Sequence, residues 1–209
     1  LELPIQNFTT ELGSSYIFKT TKIPFVNNTT GKKNILGVSI DLTEKLTLEK
    51  KLLHERNINQ TNTLMNLAGR QRMLTQKIGF HAGMIARGKH EQAPELRSAV
   101  DLFETSLQVI IKGGFAADIA CETALPNANE SLLPYARSIE RMWKPYREAA
   151  QKILYYITFK DNATQGIKQY EIETSLSFIE ANAESLLKAN NDLMLACIQI
   201  NEEKVAMEF

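Results

Sequence analysis

Polar and apolar residues alternate differently in two parts of the chain. Residues 1 to 43 hold short runs rich in Ile, Val, Phe, Tyr and Thr, punctuated by Pro4, Gly13, Pro24, Gly31 and Gly37. This pattern predicts a strand over Ser15 to Val26, a polar turn over Asn27 to Lys33 and a second strand over Asn34 to Asp41, with Pro4 to Leu12 a weaker third. Isolated hairpins are marginal in water, so these strands are expected to continue a larger domain or to pair with a second chain. After Asp41 the punctuation stops. Asp41 or Thr43 is placed to cap a helix that runs without proline to Gly88, with Glu44 in its first turn. Leu46, Leu53, Leu67 and Leu74 recur at multiples of seven, which suggests a coiled-coil seam at its start that weakens through Asn57 to Asn62.

Three more helical stretches follow. Pro94 to Ile111 ends at Gly113-Gly114. Leu132 to Lys160 is amphipathic, with Tyr135, Ile139, Met142, Trp143, Tyr146, Ala150, Ile153, Leu154 and Ile157 on one face. Pro145 within it predicts a kink or a break. From Ile167 to about Met207 a core stripe runs through Ile172, Leu176, Ile179, Ala183, Leu186, Leu187, Leu193, Met194 and Cys197. The expected fold is mainly α: an up-down four-helix bundle behind a short N-terminal antiparallel β segment and a connecting helix. The expected boundaries are 1–43 for the strands, 44–60 for the connecting helix and 61–209 for the bundle.

Composition narrows the class. The chain has 209 residues, 44% of them apolar and 23% charged, as in an ordinary globular protein. Twenty-four basic and twenty-four acidic side chains cancel, so net charge gives no reason to expect a nucleic-acid partner. No apolar run reaches the ~20 residues of a membrane-spanning helix. The chain begins at Leu1 without a signal peptide, and is expected to be a piece of something longer. Cys121 and Cys197 are too far apart for a metal-ligand motif and read as core thiols.

Charge is informative locally. Between Arg56 and His90 lie Arg56, Arg70, Arg72, Lys77, Arg87 and Lys89 and not one acid, an excess that attracts anions. On one strip of the first helix Met65, Gly69, Arg72, Gln76, Gly79 and Gly83 line up. A glycine inside a helix costs about 1 kcal/mol relative to alanine, so three on one strip point to the close approach of a backbone or a ligand. Arg72 sits among them with a planar fork of donors suited to a carboxylate, phosphate or other oxyanion. Spacing alone leaves open the alternative of an ion pair from Arg72 to a bundle glutamate, with the glycines serving helix packing. Catalysis finds little support: His54, His81 and His90 lack a nucleophile at a diagnostic spacing, and no glutamate stands three residues before any of them. The basic stretch has no interleaved aromatic platforms for nucleic acid.

The eleven residues Asn66-Leu67-Ala68-Gly69-Arg70-Gln71-Arg72-Met73-Leu74-Thr75-Gln76 resemble the signature of the PilJ-type sensor domain, the N-terminal domain of type IV pilus methyl-accepting chemotaxis proteins, related to the NarX/NarQ nitrate sensors. The resemblance covers about residues 61 to 205, including Trp143 where such domains often carry a tryptophan. It implies a dimeric four-helix-bundle sensor, not an enzyme and without a cofactor, that binds a small oxyanion such as nitrate or nitrite where two protomers meet. Carried over by position, the Ala-Gly-x-x-Arg-Met core is Ala68, Gly69, Arg72 and Met73, with Arg72 as the charge partner. Arg70 and Gln76 complete the implied anion site. Arg70 stands where the nitrate sensors have an uncharged residue.

Gly37 to Lys45 resembles the end of a PAS domain, whose last strand runs into an Asp-x-Thr-Glu signalling helix. That resemblance implies a cytoplasmic signalling protein, such as a two-component sensor kinase or a cyclase, with an output domain in the same chain. The alternative expectation is a bundle that dimerises and relays movement without sensing anything.

Overall fold

The computed structural model describes residues 3–115, 124–125, 128, 130–158 and 165–206. The chain divides into two compact units, Leu1–Asn57 and Ile58–Phe209.

The first unit is a sheet followed by the start of a helix. Strands β1 (Gln6–Thr9), β2 (Ser15–Val26) and β3 (Lys33–Asp41) form an antiparallel sheet in the order β1-β2-β3. Asn7 pairs with Ile17, and Ile23 with Leu36. Gly13 and Gly31, at φ +82° and +67°, make the two turns. In the second turn the Asn27 Oδ1 accepts from the backbone N–H groups of Thr29 and Thr30, at 2.9 and 3.1 Å. Helix α1 (Thr43–Ala86) begins directly after β3. Asp41 supplies the cap: its Oδ1 accepts from the Thr43 N–H at 2.8 Å and from the Thr43 hydroxyl. These hydrogen bonds hold the Asp41 carboxyl below its usual range. Thr43 does not cap; its Oγ1 accepts from the Ile17 N–H of β2 at 2.8 Å.

No described residue up to Asn57 is buried. The start of the leucine seam is therefore not covered by any of the described residues. Leu46 is half-buried and Leu53 is exposed, as are Leu48 and Leu52. Sevenfold spacing places side chains on one line, but only a neighbour can bury them.

The second unit is helical. It comprises the rest of α1, a 3-10 turn at His90–Gln92, α2 (Ala93–Lys112), α3 (Leu133–Thr158) and α4 (Gln165–Ala206). Gly113 ends α2, donating its N–H to the Val109 carbonyl at 2.9 Å with φ +76°. One apolar core draws on all four helices, with Trp143, Tyr146, Phe103, Leu67, Leu74 and Ile78 among its largest fully buried members.

Of the kink or break expected at Pro145, the break is absent, and the core stripe of α3 needs correction. The helix runs unbroken through Pro145. Pro145 is exposed, so the Arg141 carbonyl that loses its N–H partner lies on the solvent side, while buried Trp143 and Tyr146 anchor the same turn. Tyr135 and Met142 do not join the core but remain 40% and 38% exposed. The buried stripe passes instead through Ala136, Ile139, Trp143, Tyr146, Ala149, Ala150, Ile153 and Leu154. On α4, Leu187 is only half-buried, and Ala189, Asn190 and Ala196 complete the stripe. Cys197 is buried, which pushes its thiol up to about 11 and leaves it unreactive. Cys121 lies outside the described residues.

Candidate functional site

The motif turn of α1 has two faces. Leu67, Ala68, Gln71, Leu74, Thr75 and Ile78 are buried. Arg72, Met73 and Gln76 are exposed on the side away from them, and Gly69, Gly79 and Gly83 are partly exposed there. The 3.6-residue period explains this division, since positions four and seven apart return to one side. Phe80, seven residues after Met73, extends the outer face and is 60% exposed.

Of the expected anion-site residues, four share this outer strip: Gly69, Arg72, Met73 and Gln76. Ala68 is placed differently, with its methyl group wholly buried in the core. Arg70 is half-buried and lies about 100° round the helix from Gly69, on the flank of the strip. Arg72 makes no ion pair with any described residue. A Cβ built on Gly69, Gly79 or Gly83 meets no atom within 4 Å. Packing among the described residues thus gives no reason for three helical glycines.

The inner face is tied to the other helices by polar groups. The Gln71 Nε2 donates to the Phe103 carbonyl of α2 at 3.1 Å, and the Tyr146 hydroxyl of α3 donates to the Thr75 carbonyl at 3.3 Å. Burial raises the Tyr146 phenol well above its usual range, so it remains a donor. The Phe103 ring stacks on the Trp143 indole with centroids 3.9 Å apart.

Beside that stack lies an ionic cluster. The Glu104 carboxylate accepts from the Trp143 Nε1 at 2.6 Å, from an Arg147 nitrogen at 2.8 Å and from the Gln108 Nε2 at 3.1 Å. Burial works to raise the Glu104 carboxyl, but the hydrogen bonds from Trp143 and Gln108 and the Arg147 charge outweigh it and hold the group below the usual carboxylate range. None of Gln71, Glu104, Gln108 and Arg147 stands out in the sequence as a site residue. One available signal is that Gln71 falls on the core stripe, four residues after Leu67 and seven before Ile78. The pairing of Glu104 with Arg147 spans two helices and leaves no local trace. Among the described residues no cluster of His, Cys, Asp and Glu is arranged to hold a metal ion, and no helix is long and apolar enough to cross a membrane.

No curated protein and no solved structure shows a match to the chain. The family model of the N-terminal domain of type IV pili methyl-accepting chemotaxis transducers, PilJ, matches residues 56–177. The match takes in the motif turn, all of α2 and α3 and the start of α4. With more than half of its length inside that match, the chain belongs to the PilJ family.

Proposed function

We propose that this chain is the ligand-sensing module of a bacterial signal-transduction protein, not an enzyme, and that it binds a small oxyanion of the nitrate or nitrite type between two copies of α1. The observation that carries this reading is Arg72: an exposed guanidinium without an ion-pair partner among the described residues, on a strip where three glycines leave open space. A second protomer approaching along Gly69, Gly79 and Gly83 would bring two Arg72 side chains together. Their repulsion is relieved by an anion between them, and Met73 and Gln76 would border the guest. Ala68 would act from behind, as a small residue that lets the motif turn sit close to the core, and Arg70 would add charge from the flank. An ion that favours one helix arrangement over another shifts the population of states, which is all that sensing requires.

The wider reading is an up-down four-helix bundle in a homodimer, preceded by the last strands of a PAS domain and followed by an output domain in a cytoplasmic sensor kinase or cyclase. The bundle order is supported by neighbouring contacts: Gln71 meets Phe103 while His81 meets Gln92, so α1 and α2 run in opposite directions. The relay-only alternative called for a buried pair between Arg72 and a glutamate, and the exposure of Arg72 removes that support.

The test is calorimetric titration of the purified chain with nitrate and nitrite. Binding by the wild type, lost in Arg72→Ala with an unchanged circular dichroism spectrum, is the expected result. A wild-type protein that ignores both anions would end the sensing proposal.

A further inference from the structure

Gln71 is next to Arg72 in sequence but faces the opposite way. It is wholly buried, and its Oε1 finds no hydrogen-bond donor among the described residues. An unpaired buried acceptor is destabilising, and an apolar side chain of equal length would fill the same space without it. Stability alone therefore gives no reason for glutamine here. Its Nε2, in contrast, holds one particular carbonyl, that of Phe103, in the middle of α2. The Phe103 ring stacks on Trp143 at an interplanar angle of 19°, and the Trp143 Nε1 is held by Glu104, which is in turn held by Arg147. The turn that displays Arg72 outward is thus bonded inward to the residue beneath the chain's single tryptophan.

We propose that Gln71 is a positioning residue that couples the Arg72 strip of α1 to the Phe103–Trp143 stack between α2 and α3. This rests on the anion-sensing reading and extends it by naming how a change at the strip leaves α1. Apolar side chains slide past one another with gradual loss of contact. A hydrogen bond to a single carbonyl fixes one register, and the next equivalent carbonyl lies about 5.4 Å along the helix. When α1 shifts or rotates, the bond either carries Phe103 with it or breaks. Either outcome alters the surroundings of the Trp143 indole.

The experiment reads the indole N–H resonance of Trp143 in ¹H–¹⁵N spectra, where one tryptophan gives one signal. Gln71→Met keeps length and apolar bulk but removes the donor, and Gln71→Leu serves as a second variant should the first fold poorly. Nitrate is expected to move the indole resonance of the wild type. In Gln71→Met, nitrate should still bind by calorimetry but leave the indole signal where it is. A resonance that does not respond in the nitrate-bound wild type, or that responds equally in Gln71→Met, overturns the coupling. If calorimetry shows no anion binding at all, the sensing reading fails and the coupling is decided without ligand. Arg72→Ala, which does not touch Trp143, should then shift the indole resonance in the Gln71 background and not in the Gln71→Met background. Equal shifts in both would sink the proposal.

Discussion

Gly69, Gly79 and Gly83 separate the requirements of the folded chain from those of its surface. Each has open space where a Cβ would stand, so Gly79→Ala should raise the stability of the protomer by about 1 kcal/mol through helix propensity alone. Urea denaturation at low protein concentration measures this. In the dimer proposed above, the same substitution should weaken self-association in sedimentation experiments, because the added methyl group would hold a second α1 away. Glu104 gives a prediction with a definite sign. Its carboxyl lies below its ordinary value of 4.5 in the folded protein, so its contribution is complete above that pH and is lost as pH falls through the folded value. Replacing it with Ala leaves the Trp143 and Arg147 donors without their acceptor and should cost about 2 kcal/mol near neutral pH. The gap between wild type and variant in thermal melts should shrink as the pH is lowered below 4.5.

At the level of elements, α1 and α3 show where periodicity suffices as evidence and where it fails. Leu67 and Leu74 are both buried, as the sevenfold repeat of leucines on α1 predicts. Earlier in the same helix, Leu53 obeys the repeat and is exposed. The difference is whether other helices are present to cover the stripe. On α3 the pattern located the helix but misjudged its edges, since large side chains such as Tyr135 and Met142 lie on the boundary between core and solvent. Pro145 removes one hydrogen bond from the exposed side of α3. Pro145→Ala is accordingly expected to raise the melting temperature, and a lower one would show that the proline shapes the packing of α3. Gln71, Glu104 and Arg147 were not legible as a group because their partners lie on other helices, tens of residues away in sequence, and Gln108 joins them only through Glu104, four residues before it on α2.

At the level of the whole molecule, the core resides in one of the two units. The unit Ile58–Phe209 holds every buried residue among those described, whereas residues 3–57 hold none. A fragment spanning 58–209 should unfold cooperatively and keep the near-ultraviolet dichroism of Trp143. A fragment spanning 1–57 should lack a cooperative transition as a monomer, because three strands without a covered apolar face do not offset the entropy of ordering them. A cooperative melt of the isolated strands by circular dichroism would contradict this.

The sequence alone determined the strands, the helix limits near Asp41, Gly88 and Gly113, and the line of Gly69, Arg72 and Gln76 on one strip of α1. These follow from local rules: turn residues, caps and the 3.6-residue period act over a few positions and are written in order along the chain. Only the tertiary structure decided that Ala68 turns inward, that Arg72 meets no acid among the described residues, and that Gln71 reaches Phe103. Burial and hydrogen-bond partners depend on which helices meet and at what register. That choice is made by the packing of the core as a whole, and no stretch of sequence encodes it by itself.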